Sequence, residues 1–203
     1  VGRLMKELIA IGTAVLALTT GSVHVAEVTR TSTVVQQVVE PVNQRGDHVS
    51  VAMLHKAELR AEAKAEILRQ QELQANTDRV EKAIRQLKSH VNKTWYVFSG
   101  TTPRGWDCSG LVVWTYEQLG VNLEHRASKQ QSAGTKVKSP KAGDIVVFTY
   151  NGSKSAYHTG IYLGPDTMIH AGGGKGDSTS IVSISKFAGK HTKVVFRRIL
   201  ETI

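Results

Sequence analysis

Residues 157–174 read YHTGIYLGPDTMIHAGGG, and this stretch constrains the fold most because only one strand pairing satisfies its pattern. Two β-rich runs flank Gly164-Pro165-Asp166, a turn sequence. Pairing Tyr162 with Met168 across a loop of Leu163 to Thr167 sets Ile161 opposite Ile169 and Thr159 opposite Ala171, so one face becomes apolar. The other face then carries His170 opposite Gly160, with His158 on the diagonal, about 7–8 Å away by Cα and within side-chain reach. A slip by one residue would part the two imidazoles and half-bury one against Ile161. The pattern therefore predicts two histidines in contact, and Gly172 to Gly174 leave space for a substrate beside them. Coincidence or a metal-holding pair is the alternative reading.

The chain has one cysteine, Cys108, in RGWDCSGLVVW. Asp107 suits an N-cap, and Leu111, Val112, Thr115, Tyr116 and Leu119 form the apolar face of a helix over 109–119 that ends at Gly120. Cys108 then lies in the first helical turn, where free N–H groups and the helix dipole lower a thiol pKa from about 8.5. Gly105 and Gly110 allow close approach of backbone and ligand. The bland alternative is a small buried hydrophobe or an intermolecular disulfide. A nucleophilic thiolate needs a base, most often His. Of the eight histidines, His24, His48 and His55 fall in the N-terminal segments. His90 ends a helix, and His125 and His191 lie among charges and read as solvated; His158 and His170 remain.

Four segments are expected. Residues 1–26 have the layout of a signal peptide or N-terminal anchor: Arg3 and Lys6, then Leu8 to Thr20 without charge, then small residues. No cysteine follows, which excludes a lipidated one. Residues 27–50 read as a linker with Pro41 and Gly46, and 51–77 as a solvated helical spacer with a sparse stripe at Leu54, Ala57, Ala61, Ala65, Leu68 and Ala75. Asn76-Thr77-Asp78, with Glu81 at capping-box spacing from Asp78, reads as a break and restart. A folded domain over 78–203 opens with Val80, Ile84, Leu87 and Val91 on one helix face. Short β runs follow at 95–98, 145–150, 159–163, 168–171, 181–184 and 194–199, giving an α+β class, N-terminal helices packed on an antiparallel sheet.

The formal net charge of +9 arises wholly after residue 77: residues 1–77 carry 8 basic and 8 acidic side chains, and 78–203 carry 18 and 9. Such a domain is drawn to polyanions. The basic residues are dispersed rather than clustered with aromatics, which argues against nucleic acid, and export points to anionic cell-wall polymers as partners. A single cysteine in an exported chain also leaves no intrachain disulfide.

Four blocks in order, YVFSGTTPRGWDCSGLVVWTY, KAGDIVVF, HTGIYLG and MIHA, resemble the NlpC-type cysteine peptidases of bacterial cell walls, which are papain-like. The resemblance covers about residues 78–199. It implies a papain-like fold with Cys108 as nucleophile, His158 as general base and His170 as the residue that orients His158. It also implies substrate-side roles for Tyr96, Asp107 and Ser109, Asp107 being mainly a helix cap, and neither metal nor cofactor. The expected activity is hydrolysis of peptidoglycan stem peptides at the γ-D-glutamyl to diamino acid bond, by a secreted or wall-associated enzyme. A cysteine amidase cutting between sugar and peptide, and a catalytically silent wall-binding module, are the rivals. Ser99 stands where the family usually has glycine, Ala142 where it has proline, and Phe98 where Trp or Tyr is common.

Overall fold

The computed structural model describes residues 51–172 and 177–203, so the expected signal or anchor and the linker lie outside the described residues. Helix α1 (Val51–Lys88) is exposed along its first half, and Val80, Ala83, Ile84 and Leu87 near its end are buried, the face expected from their spacing. It runs without the interruption expected at Asn76–Asp78. The polar groups that suggested a cap are satisfied inside a continuous helix instead. Thr77 donates to the Leu73 carbonyl, Arg79 donates to the Asn76 side-chain oxygen, and the Asn76 amide donates to the Glu201 carbonyl at 3.1 Å. No helix among the described residues is long and apolar enough to cross a membrane.

Strands β1 (Thr101–Thr102) and β2 (Gly105–Trp106) form a small hairpin leading into α2 (Cys108–Glu117), and α3 (Ala127–Gln130) follows. The remaining strands are β3 (Thr135–Val137), β4 (Ile145–Tyr150), β5 (Ala156–Gly164), β6 (Thr167–Ala171), β7 (Thr179–Ser183) and β8 (Thr192–Arg198), with α4 (Ile184–Ala188) between the last two. They make one antiparallel sheet in the order β3-β8-β4-β5-β6-β7. The expected meander holds from β4 to β7. The chain then returns to add β8 on the far side of β4, which the sequence reading did not foresee. The run at 95–98 forms isolated bridges rather than a strand.

Residues Ile145 to Phe148 on β4 are fully buried because both sheet faces are covered. Their alternation feeds two cores. Ile145 and Val147 pack with Ile161, Ile169, Leu111 and Val112, while Val146 and Phe148 pack with Met168 and Ile184. The β5–β6 register pairs Ile161 with Ile169 and Tyr162 with Met168, as the sequence pattern requires. The pairing does not extend to Thr159 and Ala171, so the ladder stops short of the expected end.

Helix α2 sits close against the hairpin. A Cβ built on Gly110 would overlap the Gly100 carbonyl oxygen, so glycine here permits backbone contact. Replacing Gly110 by Ala should cost about 1–3 kcal/mol, the range for overpacking a tight interior site, and urea unfolding would read it as a lower midpoint with unchanged slope. A variant as stable as the parent would show that α2 has more room than this contact allows.

Candidate active site

Cys108 opens α2, and Asp107 is its N-cap, accepting from the Gly110 N–H at 2.7 Å. The same carboxylate also accepts the Ser109 hydroxyl at 2.9 Å and the Ser99 N–H at 3.0 Å, and it meets His125 Nε2 at 2.9 Å. Burial pushes the Asp107 carboxyl up, but the hydrogen bonds from His125, Gly110 and Ser109 outweigh it and hold the group below the usual carboxylate range. The cap role expected of Asp107 is therefore in place, joined to a polar cluster. His125, read from the sequence as solvated, belongs to that cluster. Ser109 has its hydroxyl committed to Asp107 rather than turned to a ligand. Ser99 adopts φ of 62°, a left-handed conformation that accounts for the usual glycine there.

The sulfur of Cys108 lies against β5, where the N–H groups of Thr159 and Ser109 face it while the Thr159 hydroxyl gives its hydrogen to Gln130. Those donors favour the thiolate, yet burial outweighs them and, with the nearby Asp107 charge, pushes the thiol up. The lowered thiol expected from the helix dipole is thus corrected: the dipole acts locally, while the packing of α2 on the sheet removes part of the water from the sulfur. Tyr96 is close enough that the charges of Cys108 and Asp107, after burial, raise its phenol.

Gln130 is the residue that sequence reasoning missed. It is 1% exposed and bonds α2, β5 and the loop between α2 and α3 at once. Its amide donates to the Ser109 carbonyl at 2.9 Å and the Glu124 carbonyl at 3.1 Å, and its oxygen accepts the Thr159 hydroxyl at 3.0 Å. The first turn of α2 and the β5 residue facing the sulfur are therefore tied to one side chain. Its place in a charged loop, away from any periodic pattern, offered no signal.

His158 and His170 meet as the register predicts, with His158 Nε2 and His170 Nδ1 2.9 Å apart. Gly160 makes room for this: a Cβ there would lie 3.2 Å from His170 Cβ and 2.8 Å from the Ile169 carbonyl oxygen. His170 Nε2 lies 3.1 Å from Ser180 Oγ. Phe187 of α4 covers the pair, its ring centroid 4.7 Å from His158 and 4.9 Å from His170. Burial lowers both imidazoles, to about 3 and about 4, and His170 adds repulsion at His158. Both rings are neutral at pH 7. Because His158 Nε2 faces His170, its Nδ1 is the nitrogen left for chemistry. A half-buried thiol and a neutral imidazole oriented by a second imidazole are the parts of a general-base nucleophilic site.

The profile of the NlpC/P60 family matches residues 93–198, about half of the chain. The chain belongs to the NlpC/P60 family. A probable endopeptidase of Corynebacterium glutamicum is 44% identical over 78 residues, covering 37% of this chain and 35% of that protein. The gamma-DL-glutamyl hydrolase of Bacillus subtilis is 37% identical over 103 residues, covering 49% of this chain and 25% of that protein. The chain thus spans about a third or less of the length of these curated relatives. Among solved structures, the NlpC/p60 domain of the peptidoglycan hydrolase SagA is 31% identical with a TM-score of 0.50, covering 59% of this chain and 98% of that one. The NlpC/P60 match contains Cys108, His158 and His170 as well as Tyr96, Asp107 and Ser109.

The neutral imidazoles have a thermodynamic consequence. A histidine of ordinary value 6.5 takes up a proton in the unfolded chain before it does so in the fold. Stability is therefore full above pH 6.5 and falls as pH drops toward the folded values, by up to roughly 1.4 kcal/mol per pH unit for each ring. Urea midpoints at pH 7 and pH 5 should differ accordingly, and replacing both rings by Gln should flatten that part of the profile. A parent profile flat between these pH values would show that the imidazoles are not held neutral.

Proposed function

We propose that this chain is a cysteine-type peptidoglycan endopeptidase that hydrolyses stem peptides at the γ-D-glutamyl to diamino acid bond. The reading is carried by one observation: a single half-buried thiol opens a helix on β5, and a neutral imidazole pair projects from β5 and its neighbour β6. The gamma-DL-glutamyl hydrolase among its relatives supports the choice of bond. Cys108 is the nucleophile, His158 the base and His170 its orienting partner.

Because thiol and imidazole rest neutral, proton transfer accompanies attack rather than preceding it. Cys108 Sγ bonds to the glutamyl carbonyl carbon as its proton passes to His158 Nδ1. The N–H groups of Gly110 and Leu111 are taken by the Asp107 side chain and carbonyl, so negative charge on the carbonyl oxygen is met at the helix start by the Cys108 and Ser109 end. His158 then gives its proton to the departing amine of the diamino acid, leaving a γ-glutamyl thioester. Water attacks that thioester with His158 again as base, the thiolate leaves and is reprotonated, and the free γ-carboxyl is released.

The reading also places the protein outside the cytoplasm. Residues 1–26 would direct or anchor it, and the excess positive charge after residue 77 would hold it at anionic wall polymers.

Mass spectrometry of defined muropeptides incubated with the full chain should show cleavage after D-glutamate, lost in a Cys108→Ala variant. Release of an intact stem from muramic acid would move the assignment to an amidase. Binding of muropeptides without any product would make the chain a wall-binding module.

A further inference from the structure

We propose that Ser180 is a positioning residue for the imidazole pair: its hydroxyl accepts the Nε2–H of His170 and so keeps His170 Nδ1 an unprotonated acceptor facing His158. This inference deepens the peptidase reading and rests on it.

The strand register supplies the geometry. Ser180 on β7 is the direct cross-strand partner of His170 on β6, and its Oγ lies 3.1 Å from His170 Nε2. His170 Nδ1 in turn lies 2.9 Å from His158 Nε2. Each neutral imidazole carries one N–H, so the direction of every bond follows from the first. A base must present a free lone pair at Nδ1, which puts the His158 proton on Nε2, pointing at His170. His170 must then accept at Nδ1 and carry its own proton on Nε2. Ser180 is the only side chain among the described residues hydrogen-bonded to that nitrogen.

The requirement is strictest during the reaction. Once His158 holds the thiol proton it is an imidazolium and can only donate, so the whole row points toward Ser180. A serine hydroxyl accepts while turning its own hydrogen away, and Ser180 is only half-buried, so that hydrogen has access to water. The Ala171 backbone also lies against the His170 ring and favours its protonated form, but among the described residues no other side chain offers Nε2 an acceptor. Phe187 from α4 and Phe148 from β4 present ring carbon to the pair. Asp107 at the start of α2 acts on His158, and Asp177, ahead of β7, acts on His170; both favour protonated imidazole through charge.

The test compares Ser180→Val with Ser180→Thr in the full chain. The two side chains match in shape and strand preference and differ in the hydroxyl. Muropeptide kcat should fall roughly tenfold for Val with KM unchanged, the order expected for a lost hydrogen bond to a charged group, while Thr retains the parent rate. Cys108 is the only cysteine, so iodoacetamide alkylation reads the same pair without substrate. For Val the alkylation plateau should fall and its acid limb move to lower pH, because an imidazolium without its terminal acceptor is less stable. Thr should overlay the parent. Val and Thr variants that behave alike would overturn the inference.

Long-range proton–nitrogen spectra of the parent protein should show His170 protonated at Nε2. A proton on Nδ1 would overturn the inference without any variant, which covers a Val variant that fails to fold. Muropeptides left uncut by the parent, together with a Val-specific change in alkylation, would remove the substrate reading and uphold the role of Ser180.

Discussion

The seating of the first turn of α2 on β5 is the constraint on which the site depends. Gln130 makes it, holding the Ser109 carbonyl and the Thr159 hydroxyl from a fully buried position. Asp107 completes it by tying the helix cap to Ser99 and His125. Buried polar groups of this kind are stabilising only when every member is paired, and among the described residues no buried side-chain nitrogen or oxygen lacks a partner. The lattice leaves Cys108 little freedom, and Leu111, Val112 and Tyr116 below it fix the helix to the core.

That seating has an electrostatic cost. Packing the sulfur and both imidazoles away from water disfavours their charged forms, raising the thiol and lowering the rings. The resting site therefore stores a proton on sulfur. In the proposed mechanism, charge separation is deferred until a carbonyl arrives, when the helix start can meet the oxygen and the imidazole row can spread the positive charge. Phe187 contributes by covering both rings, and the short helix that carries it is capped by Ser183. Order in α4 thus bears on the protonation state of the pair.

Much of this was legible in the sequence where local pattern decides. Alternation in residues 157–171 fixed the β5–β6 register and with it the meeting of the two imidazoles, because a slip would have buried the wrong face. The helix after Asp107 followed from its cap and apolar face. What stayed hidden depends on partners distant in the chain. Gln130 and His125 look like residues of a polar loop until α3 brings them against α2 and β5. Asn76 to Asp78 resemble a cap, yet the carbonyl that satisfies Asn76 belongs to Glu201, 125 residues away. The sign of the Cys108 shift was missed for a similar reason, since the dipole is a property of the helix alone and burial is a property of the assembled fold.

The central claim is that Cys108 carries the glutamyl group between two chemical steps. Rapid acid quench of the full chain mixed with excess muropeptide, followed by intact-protein mass spectrometry, tests this directly. The account predicts a transient adduct on Cys108 with the mass of the γ-glutamyl fragment less one water, decaying as product accumulates. Full product formation with no adduct at any quench time, or an adduct on another residue, would contradict it.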